Sequence, residues 1–482
     1  MKNPAKFFVS GASVLMLGAV SGQILLLAAS PILTRLFSPE DFGGFGLFVS
    51  LFAFLNIVST ARYELAIPIA KKDQFALTVM SLTYLLLACF ILMLLIVSKP
   101  FHAAISLLFD TEISNAFVFL LIASVFFSGA YRITSFWAFR QLAFRTVAFA
   151  RLAQGFGLAV TQISFGFAGY NSAGLLLGHT AGFLISSLIA LHLAFGSVVR
   201  SIHGISTKRI IAVAKRFRRF PIYSTWSDLM NTVGTQLPVL AILFFFSPNA
   251  AGLYFLAVRL ANAPVAIIAE AVTKTVLATA SKREMKPVLS EFSCRVFGAL
   301  LRLGTVPMLC ALPLGPLLFD FIFGSEWEPA GRYFAFLIPW SLAVFTVVPM
   351  LSLFHVAERQ KEEFLAQLFI FLGRSVALFI GALSGSIELA LILFSSVASA
   401  TYIFAGAWAL QSVGNSFDSV FKVLGQELIL GLFAMMIVSS TLWFAPSEYG
   451  LIFGVAVSIP LAASAIFSGI RNFKRESAVF NQ

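Results

Sequence analysis

Charged residues are scarce in this chain of 482 residues. Asp, Glu, Lys and Arg make up only 11% of the sequence, whereas 59% of it is hydrophobic. A soluble domain carries about a quarter charged residues, so most of this chain cannot face water. A membrane-spanning helix needs about twenty mainly apolar residues, and apolar runs of that length recur along the chain. The composition therefore predicts an all-α, polytopic membrane protein.

Cysteine is also scarce, and the usual motifs of enzymes are missing. Cys89, Cys294 and Cys310 are too few and too far apart for a disulfide framework or a metal cluster. The five histidines show no metal-ligand spacing. The glycine clusters lack the context and the lysine of a phosphate-binding loop, and no nucleophilic Ser or Cys comes with a recognisable base. We therefore expect no metal, no cofactor and no enzymatic activity.

The apolar runs divide into about fourteen predicted spans. They cover approximately residues 7–33, 42–67, 75–97, 113–136, 147–168, 172–195, 221–246, 250–276, 292–319, 330–354, 364–383, 389–410, 424–444 and 449–470. This spacing predicts an N-terminal lobe of six helices and a C-terminal lobe of six helices, with two further helices after them. The predicted boundaries are 1–196 for the first lobe, 197–220 for a basic linker, 221–412 for the second lobe and 413–482 for the last two helices and a tail.

A short motif occurs twice and supports this division. FSPEDFGGFGLFVSL runs from Phe37 to Leu51, and FSPNAAGLYFLAVRL runs from Phe246 to Leu260. In both copies an apolar run ends at Ser-Pro, which breaks a helix because proline lacks an N–H and restricts the residue before it. A second apolar run then begins. The motif relates the first two spans to the seventh and eighth, which predicts a parallel repeat about an axis along the membrane normal.

The basic residues indicate how the chain is oriented. If the N-terminus is cytoplasmic, most of the 33 Lys and Arg residues fall in connections on that side, whereas Arg35, Lys99 and Arg332 fall on the other side. Cytoplasmic connections of membrane proteins are enriched in Lys and Arg. We therefore expect both termini to be cytoplasmic. We assign the net charge of +12 to this asymmetry and expect no binding of nucleic acid.

The linker between the two lobes contains a predicted amphipathic helix. Thr207 is a candidate N-cap, and Ile210, Ile211, Ala214 and Phe217 fall on one face. The remaining surface is basic, with Lys208, Arg209, Lys215, Arg216, Arg218 and Arg219. Such a helix is typical of contact with an anionic cytoplasmic leaflet, so membrane lipids are an expected partner. A helix that binds nucleic acid or a protein has the same pattern, but a short linker between spans favours the membrane.

Charged residues inside the predicted spans are the candidate functional residues. Arg259, Arg302 and Arg374 lie within the eighth, ninth and eleventh spans, and Asp228 lies in the seventh as the one acid placed near the midplane. An intramembrane charge costs about 2.5 kcal/mol or more, so it usually faces a wet cavity or a partner. We expect the three arginines to bind an anionic substrate, since guanidinium groups suit phosphate. In the structural alternative, Asp228 only balances Arg259, since their spans are neighbours. In the functional interpretation, the same pair is a gate or coupling element.

The opening of the chain carries a family resemblance. The run SPILTRLFSPEDFGGFGLFVSLFAFLNIVSTARYELAI, from Ser30 to Ile67, resembles bacterial polysaccharide-biosynthesis membrane proteins, the Wzx-type oligosaccharide flippases of the MATE-like exporter superfamily. The motif at Phe246 to Leu260 and the run FPIYSTWSDLMNTVGTQLPVL from Phe220 are similar to that family too. The resemblance implies two six-helix lobes around a central cavity, with two extra C-terminal helices. It implies a location in the bacterial inner membrane.

The resemblance also implies a substrate and a mechanism. The substrate is a polyprenyl-diphosphate-linked oligosaccharide, such as a repeat unit of O-antigen, lipopolysaccharide, capsule or exopolysaccharide, and alternating access turns it from the inner to the outer leaflet. Arg302 and Arg374 are expected to engage the diphosphate, with Arg259 beside them or paired with Asp228. Within the motif ARYELAI, Arg62 and Glu64 are expected to form a structural pair at the cytoplasmic rim. The polysaccharide polymerase machinery is an expected partner.

Other functions remain open on the sequence alone. A drug exporter or a peptidoglycan-precursor exporter has the same predicted fold. A membrane glycan polymerase or ligase is disfavoured, because such an enzyme places catalytic residues on a substantial outer loop and the outer connections here are short. A passive scaffold for the glycan machinery is opposed only by the buried arginines.

Overall fold

The structure of the protein, a computed structural model, describes residues 4–70, 72–109, 114–199, 206–280, 288–444 and 450–479. Within these ranges every regular element is a helix, which confirms the all-α prediction. The α-helices are α1 Pro4–Leu36, α2 Pro39–Val58, α3 Asp73–Ile96, α4 Ser98–Phe109, α5 Asn115–Arg140, α6 Phe144–Phe167, α7 Ser172–Val199, α8 Thr207–Arg216, α9 Thr225–Phe245, α10 Pro248–Ala280, α11 Leu289–Phe323, α12 Glu328–Leu351, α13 Leu353–Val356, α14 Gln360–Leu383, α15 Ile387–Gln411, α16 Phe417–Phe444 and α17 Gly450–Val479.

A helix occupies each predicted span, and the described helices differ in how apolar they are. Eleven helical segments of the described ranges are long and apolar enough to cross a membrane. Helix α6 is not among them, because it carries Arg145, Arg151 and two glutamines.

The chain forms two compact units, which we call unit 1 (Met1–Gly252) and unit 2 (Leu253–Gln482). Unit 1 contains α1 to α9 and the first turn of α10. Helix α9 belongs to it because it packs against α2, where Ser50 Oγ lies 3.0 Å from Gln236 Oε1. Unit 2 contains the rest of α10 and the helices up to α17. In unit 2, α11 packs against α12, α16 and α17, and α12 packs against α15. The predicted boundaries of the lobes, by contrast, stay a prediction.

Both copies of the repeated motif begin a helix in the same way, as the sequence predicts. Ser38 caps α2: its hydroxyl oxygen accepts from the N–H of Asp41 at 3.2 Å, and the Asp41 carboxylate accepts from the N–H of Ser38 at 3.0 Å. Ser247 caps α10 by accepting from the N–H of Ala250 at 3.1 Å. A serine side chain in this position satisfies an N–H that the helix leaves free.

The two copies also contact each other through a matched pair of glycines. A Cβ added to Gly43 would overlap the carbonyl oxygen of Pro248, and one added to Gly252 would overlap the carbonyl oxygen of Pro39. Each glycine therefore faces the proline of the other copy, and the first turns of α2 and α10 cross backbone to backbone. Such a close approach requires residues without a Cβ.

This crossing leads to a first testable prediction. We expect Gly43→Ala and Gly252→Ala each to destabilise the protein by about 1–3 kcal/mol, the usual cost of overpacking, and to lower the temperature of thermal unfolding in detergent. Gly44→Ala is the matched control, since the nearest atom to a Cβ added there is Ser172 Cβ at 3.8 Å. Equal unfolding temperatures for Gly43→Ala and Gly44→Ala would show that the backbones do not cross this closely.

Helix α2 ends earlier than the sequence predicts. The second span was expected to reach Ile67, but α2 stops at Val58. Ala61 and Arg62 take left-handed φ angles of 46° and 59°, and residues Tyr63–Ala66 form a short 3-10 helix. A helix cannot continue through left-handed residues. The expectation for the end of this span is therefore wrong.

Arg132 of α5 explains where α2 ends. Its Nη2 donates to the carbonyl oxygen of Asn56 at 2.5 Å and to the hydroxyl of Thr60 at 2.9 Å. The last carbonyls of a helix lack partners within it, and the C-terminal end of its dipole favours a cation. Arg132 supplies both the donor and the charge, and the chain leaves the helix there.

Helix α8 forms where the sequence predicts an amphipathic helix, but its apolar face lies against the protein. Ser206 rather than Thr207 provides the cap, accepting from the N–H of Arg209 at 3.4 Å. Val213 is only 1% exposed, in a cluster that includes Tyr63, and the hydroxyl of Tyr63 donates to the carbonyl oxygen of Ala214 at 3.1 Å. The expectation that this face lies on the membrane is wrong for Ile210, Ala214 and Phe217, which pack against this cluster, whereas Ile211 is 50% exposed. The basic side chains of α8 remain exposed.

Candidate functional site

Four charged side chains meet in unit 1, and we call them the charged network: Arg62, Glu64, Arg132 and Asp228. Arg62 Nε lies 2.6 Å from Asp228 Oδ2, and Arg132 Nε lies 3.1 Å from Glu64 Oε1. Arg62 Nη1 lies 3.6 Å from Glu64 Oε1 and links the two pairs. The network holds two positive and two negative groups, so its formal charge is zero.

The members of the network differ in their exposure. The side chain of Glu64 is 0% exposed, whereas that of Asp228 is 38% exposed. A charge buried away from water is costly unless it is paired. The charged form of Glu64 therefore depends on its two arginines. Asp228 is the most exposed of the four side chains, so solvent or a ligand can reach it.

Irregular backbone positions three of the four side chains. Arg62 and Glu64 follow the early end of α2, in the left-handed turn and the short 3-10 helix. Asp228 lies in the first turn of α9, directly after a π-helical turn at Phe220–Ser224. Isolated π-turns are rare and occur often at functional sites. Arg132, in contrast, lies within the regular helix α5.

The structure places Asp228 beside a different arginine from the one the sequence suggested. Within unit 1, Asp228 pairs with Arg62. The prediction named Arg259, a partly buried residue in the part of α10 that belongs to unit 2. The expected contact of Arg62 with Glu64 is confirmed, but each has a closer partner. Sequence reasoning missed Arg132 in this role. The available signal was an arginine inside an apolar helix, two turns before its end.

A second ion pair lies within unit 2. Arg302 of α11 donates from Nε and Nη2 to Glu427 Oε1 of α16, at 2.9 and 2.7 Å. Helix α16 begins at Phe417, so Glu427 lies about 15 Å along it. Sequence reasoning missed this acid because the predicted span began at Leu424, which placed Glu427 near its edge. Asp228 is therefore not the one acid deep in a span, and Arg302 is not an uncompensated cation.

Arg374 retains an unused donor. It lies in α14 and is partly buried, and its Nε has no hydrogen-bond partner among the described residues. Tyr254 and Tyr402 lie close enough to interact electrostatically with its charge. The role of Arg374 in binding substrate, like that of Arg259 and Arg302, stays a prediction.

Possible metal ligands do not gather in the described part of the chain, where no group of three or more His, Cys, Asp or Glu side chains is placed to hold an ion. The charged network consists of two arginines and two carboxylates, of which Arg62 and Glu64 lie outside the α-helices.

Comparison with protein families decides which family this is. The model of a family described as "Polysaccharide biosynthesis protein" matches residues 32–332. The chain belongs to this polysaccharide biosynthesis family. Its match includes the repeated motif and the charged network. A search of curated proteins found no significant match.

Solved structures with the same fold are transporters. The lipid II flippase MurJ in an inward closed conformation superposes on this family member with a TM-score of 0.69 at 17% identity, over 96% of this chain and 99% of that one. An inward-facing multidrug resistance MATE transporter of the MOP superfamily gives 0.59 at 13% identity, over 85% and 99%. The eukaryotic MATE transporter AtDTX14 gives 0.56 at 12% identity, over 87% and 100%. The polysaccharide biosynthesis protein thus has the fold of the MurJ and MATE transporters.

Proposed function

We propose that this protein is a flippase for a polyprenyl-diphosphate-linked oligosaccharide, the repeat unit of an O-antigen, capsule or exopolysaccharide. The observation that carries the proposal is the coincidence of a polysaccharide biosynthesis family with the fold of a lipid II flippase. The first indicates a glycan pathway, and the second a movement of glycolipid across a membrane. The proposed location is the bacterial inner membrane, with both termini cytoplasmic.

In the proposed cycle, Arg374 binds the diphosphate through its guanidinium group. Arg302 joins it after its ion pair with Glu427 opens, and Arg259 contributes a third positive charge. The pair of Arg62 and Asp228 acts as the gate, because its exposed end can respond to a ligand or a proton. Alternating access then moves the substrate from the cytoplasmic to the outer leaflet, where the polysaccharide polymerase machinery uses it.

A gene deletion tests the proposed function directly. The deletion strain should lose surface glycan and accumulate a lipid-linked oligosaccharide in the cytoplasmic leaflet, which mass spectrometry of the lipid extract identifies. A plasmid copy should reverse both changes. Normal glycan together with a new sensitivity to toxic compounds would contradict the proposal and favour a drug exporter, the alternative that the MATE neighbours support.

The orientation can be tested with single cysteines. In a variant without the exposed Cys89, we expect Glu328→Cys, at the start of α12, to react with an impermeant thiol reagent added to intact cells. Lys208→Cys, on the exposed basic side of α8, should react only after the membrane is permeabilised, because Lys and Arg concentrate on the cytoplasmic side. Labelling of Lys208→Cys in intact cells would reverse the proposed orientation.

A double-mutant cycle tests the partner of Asp228. We expect Asp228→Asn and Arg62→Gln each to reduce surface glycan, and the double variant to recover much of it, because no unpaired charge then remains. The matched cycle combines Asp228→Asn with Arg259→Gln. Recovery only with Arg259→Gln would favour the pair that the sequence suggests. If both double variants stay as inactive as Asp228→Asn, Asp228 acts as a proton carrier rather than as a balancing charge.

A further inference from the structure

The end of α8 and the residues directly after it carry positive charge without an acid nearby. Four exposed side chains form what we call the basic cluster: Lys215, Arg216, Arg218 and Arg219. None of the four forms an ion pair with another described residue. Along the sequence, no Asp or Glu occurs from residue 113 to residue 227. The basic cluster therefore keeps its full charge for a partner outside the chain.

The basic cluster lies at the edge of a membrane span. The segment Phe220–Phe245 is one of those that are long and apolar enough to cross a membrane, and the cluster ends directly before it. Side chains in this position lie at the depth of the lipid headgroups. In the proposed orientation this is the cytoplasmic leaflet, which carries the anionic lipids. Clusters of about four to eight Lys and Arg next to a span are typical of binding to such lipids.

The contacts of α8 within unit 1 prevent its apolar face from taking this role. Val213 is buried in the cluster that contains Tyr63, and the guanidinium group of Arg216 lies 5.9 Å from the centre of the Phe75 ring of α3. An amphipathic helix on a bilayer normally buries its apolar face in lipid. Here protein covers most of that face, so α8 offers the bilayer mainly its charge.

Two large apolar side chains next to the basic cluster are exposed as well. In the π-helical turn that follows it, Ile222 is 51% and Tyr223 is 68% exposed. Tyrosine is enriched at the surface of a bilayer, and acyl chains next to the headgroups can cover an isoleucine. Positive charge beside exposed apolar side chains fits a lipid better than a nucleic acid, which offers phosphates but no hydrocarbon.

Tyr63 connects α8 to the charged network. Its hydroxyl donates to the carbonyl oxygen of Ala214 at 3.1 Å, and it lies in the chain between Arg62 and Glu64. The segment from Ala214 to Asp228 is thus held at both ends by neighbouring residues, by Tyr63 at one end and by Arg62 at the other. Since the basic cluster lies inside this segment, a ligand on the cluster acts on the same segment as the charged network.

We infer that the basic cluster binds the headgroups of anionic phospholipids, and that this contact stabilises the segment that carries Asp228. The ligand is a lipid of the bilayer itself rather than a lipid-linked glycan. The lipid site requires only the membrane span that begins at Phe220. Its effect on the pair of Arg62 and Asp228 matters for transport only if that pair is the gate, and to this extent it rests on the proposed function.

Titration of the purified full-length protein in a neutral detergent tests the lipid site. The probes are short-chain phosphatidylglycerol, short-chain phosphatidylcholine and an oligouridylate RNA. Wild-type protein should bind phosphatidylglycerol about tenfold or more tightly than either of the other two. The triple variant Lys215→Gln, Arg218→Gln, Arg219→Gln should lose this preference. A second triple variant, Lys215→Arg, Arg218→Lys, Arg219→Lys, keeps the charge and should keep the preference.

The matched control removes the same number of charges elsewhere. It combines Arg145→Gln, Lys361→Gln and Lys422→Gln, three exposed residues in the first turns of α6, α14 and α16, and should bind phosphatidylglycerol like the wild type. An equal loss in this control would assign the effect to net charge and overturn the inference. Equal binding of the two phospholipids by the wild type would do the same. Tighter binding of the RNA would make the cluster a nucleic-acid site instead.

Amide hydrogen exchange tests the connection to the charged network. Phosphatidylglycerol should slow exchange in α8 and also in the segment after α2 that carries Arg62 and Glu64. Tyr63→Phe removes only the hydroxyl and should confine this protection to α8. Protection confined to α8 in the wild type, or unchanged protection in Tyr63→Phe, would overturn the connection through Tyr63.

The lipid site and the proposed function can fail separately. If the deletion strain keeps its surface glycan, but purified protein prefers phosphatidylglycerol through the basic cluster, the proposed function falls and the lipid site stands. If the deletion strain loses its glycan and accumulates a lipid-linked oligosaccharide, but the triple glutamine variant binds phosphatidylglycerol like the wild type, the flippase stands and the lipid site falls.

Discussion

Replacing Glu64 with glutamine should destabilise the protein by about 3–5 kcal/mol, the usual cost of breaking a buried ion pair. The carboxylate is fully buried and balances Arg132, at 3.1 Å, and Arg62, at 3.6 Å. Without it, two guanidinium groups face only Asp228. Arg132 also caps α2, so the damage should spread from the ion pair to the turn that follows the helix.

Chemical unfolding of the purified protein in detergent measures this effect. Glu40→Gln is the matched control, because Glu40 is an exposed acid in the first turn of α2, and exposed substitutions usually change stability by about 0.5 kcal/mol or less. The double variant Arg132→Gln, Glu64→Gln should recover part of the lost stability, because no unpaired charge remains at this position. The recovery should be incomplete, because Arg132 no longer caps α2. A Glu64→Gln variant as stable as Glu40→Gln would mean that the carboxylate does not balance the two arginines.

The largest expected effect on transport comes from Arg374. Arg374→Ala should abolish surface glycan while the protein still inserts into the membrane, because we assign its guanidinium group to the diphosphate. Loss of a hydrogen bond to a charged group costs about 1.5–3 kcal/mol, which corresponds to roughly tenfold to a hundredfold in affinity. Arg374→Lys should restore part of the activity, since the charge remains but the two-pronged guanidinium is lost. Surface glycan, with protein level in the membrane fraction, is the measurement.

Arg302 provides the contrast, because it already has a partner. Arg302→Ala alone leaves Glu427 buried and unpaired. A loss of surface glycan in this variant could therefore come from lower stability of the protein or from weaker binding of substrate. The double variant Arg302→Gln, Glu427→Gln removes both charges. If Arg302 binds substrate, this double variant stays inactive although it is stable; if the pair is structural, glycan returns. Wild-type glycan in Arg374→Ala would show that Arg374 does not bind the diphosphate.

Local chemistry was sufficient to predict the elements of the fold. The apolar runs place a helix at each predicted span, because a backbone in lipid must satisfy its own hydrogen bonds and the helix does so within the segment. The starts of α2 and α10 follow from Ser38-Pro39 and Ser247-Pro248, since a cap and a proline act on residues no more than a few positions away. The amphipathic pattern likewise predicts α8.

Only the tertiary structure decided which distant residues meet. Glu64 pairs with Arg132 of another helix, and Gly43 contacts Pro248 of the other motif copy. Most of the apolar face of α8 packs against Tyr63 and α3 rather than facing lipid. Hydrophobic periodicity predicts that one face of a helix is buried, but it does not identify the element that buries it. A buried charge likewise requires a partner, but the sequence does not identify that partner. Those choices depend on how helices far apart in the sequence pack, which no short stretch of the chain encodes.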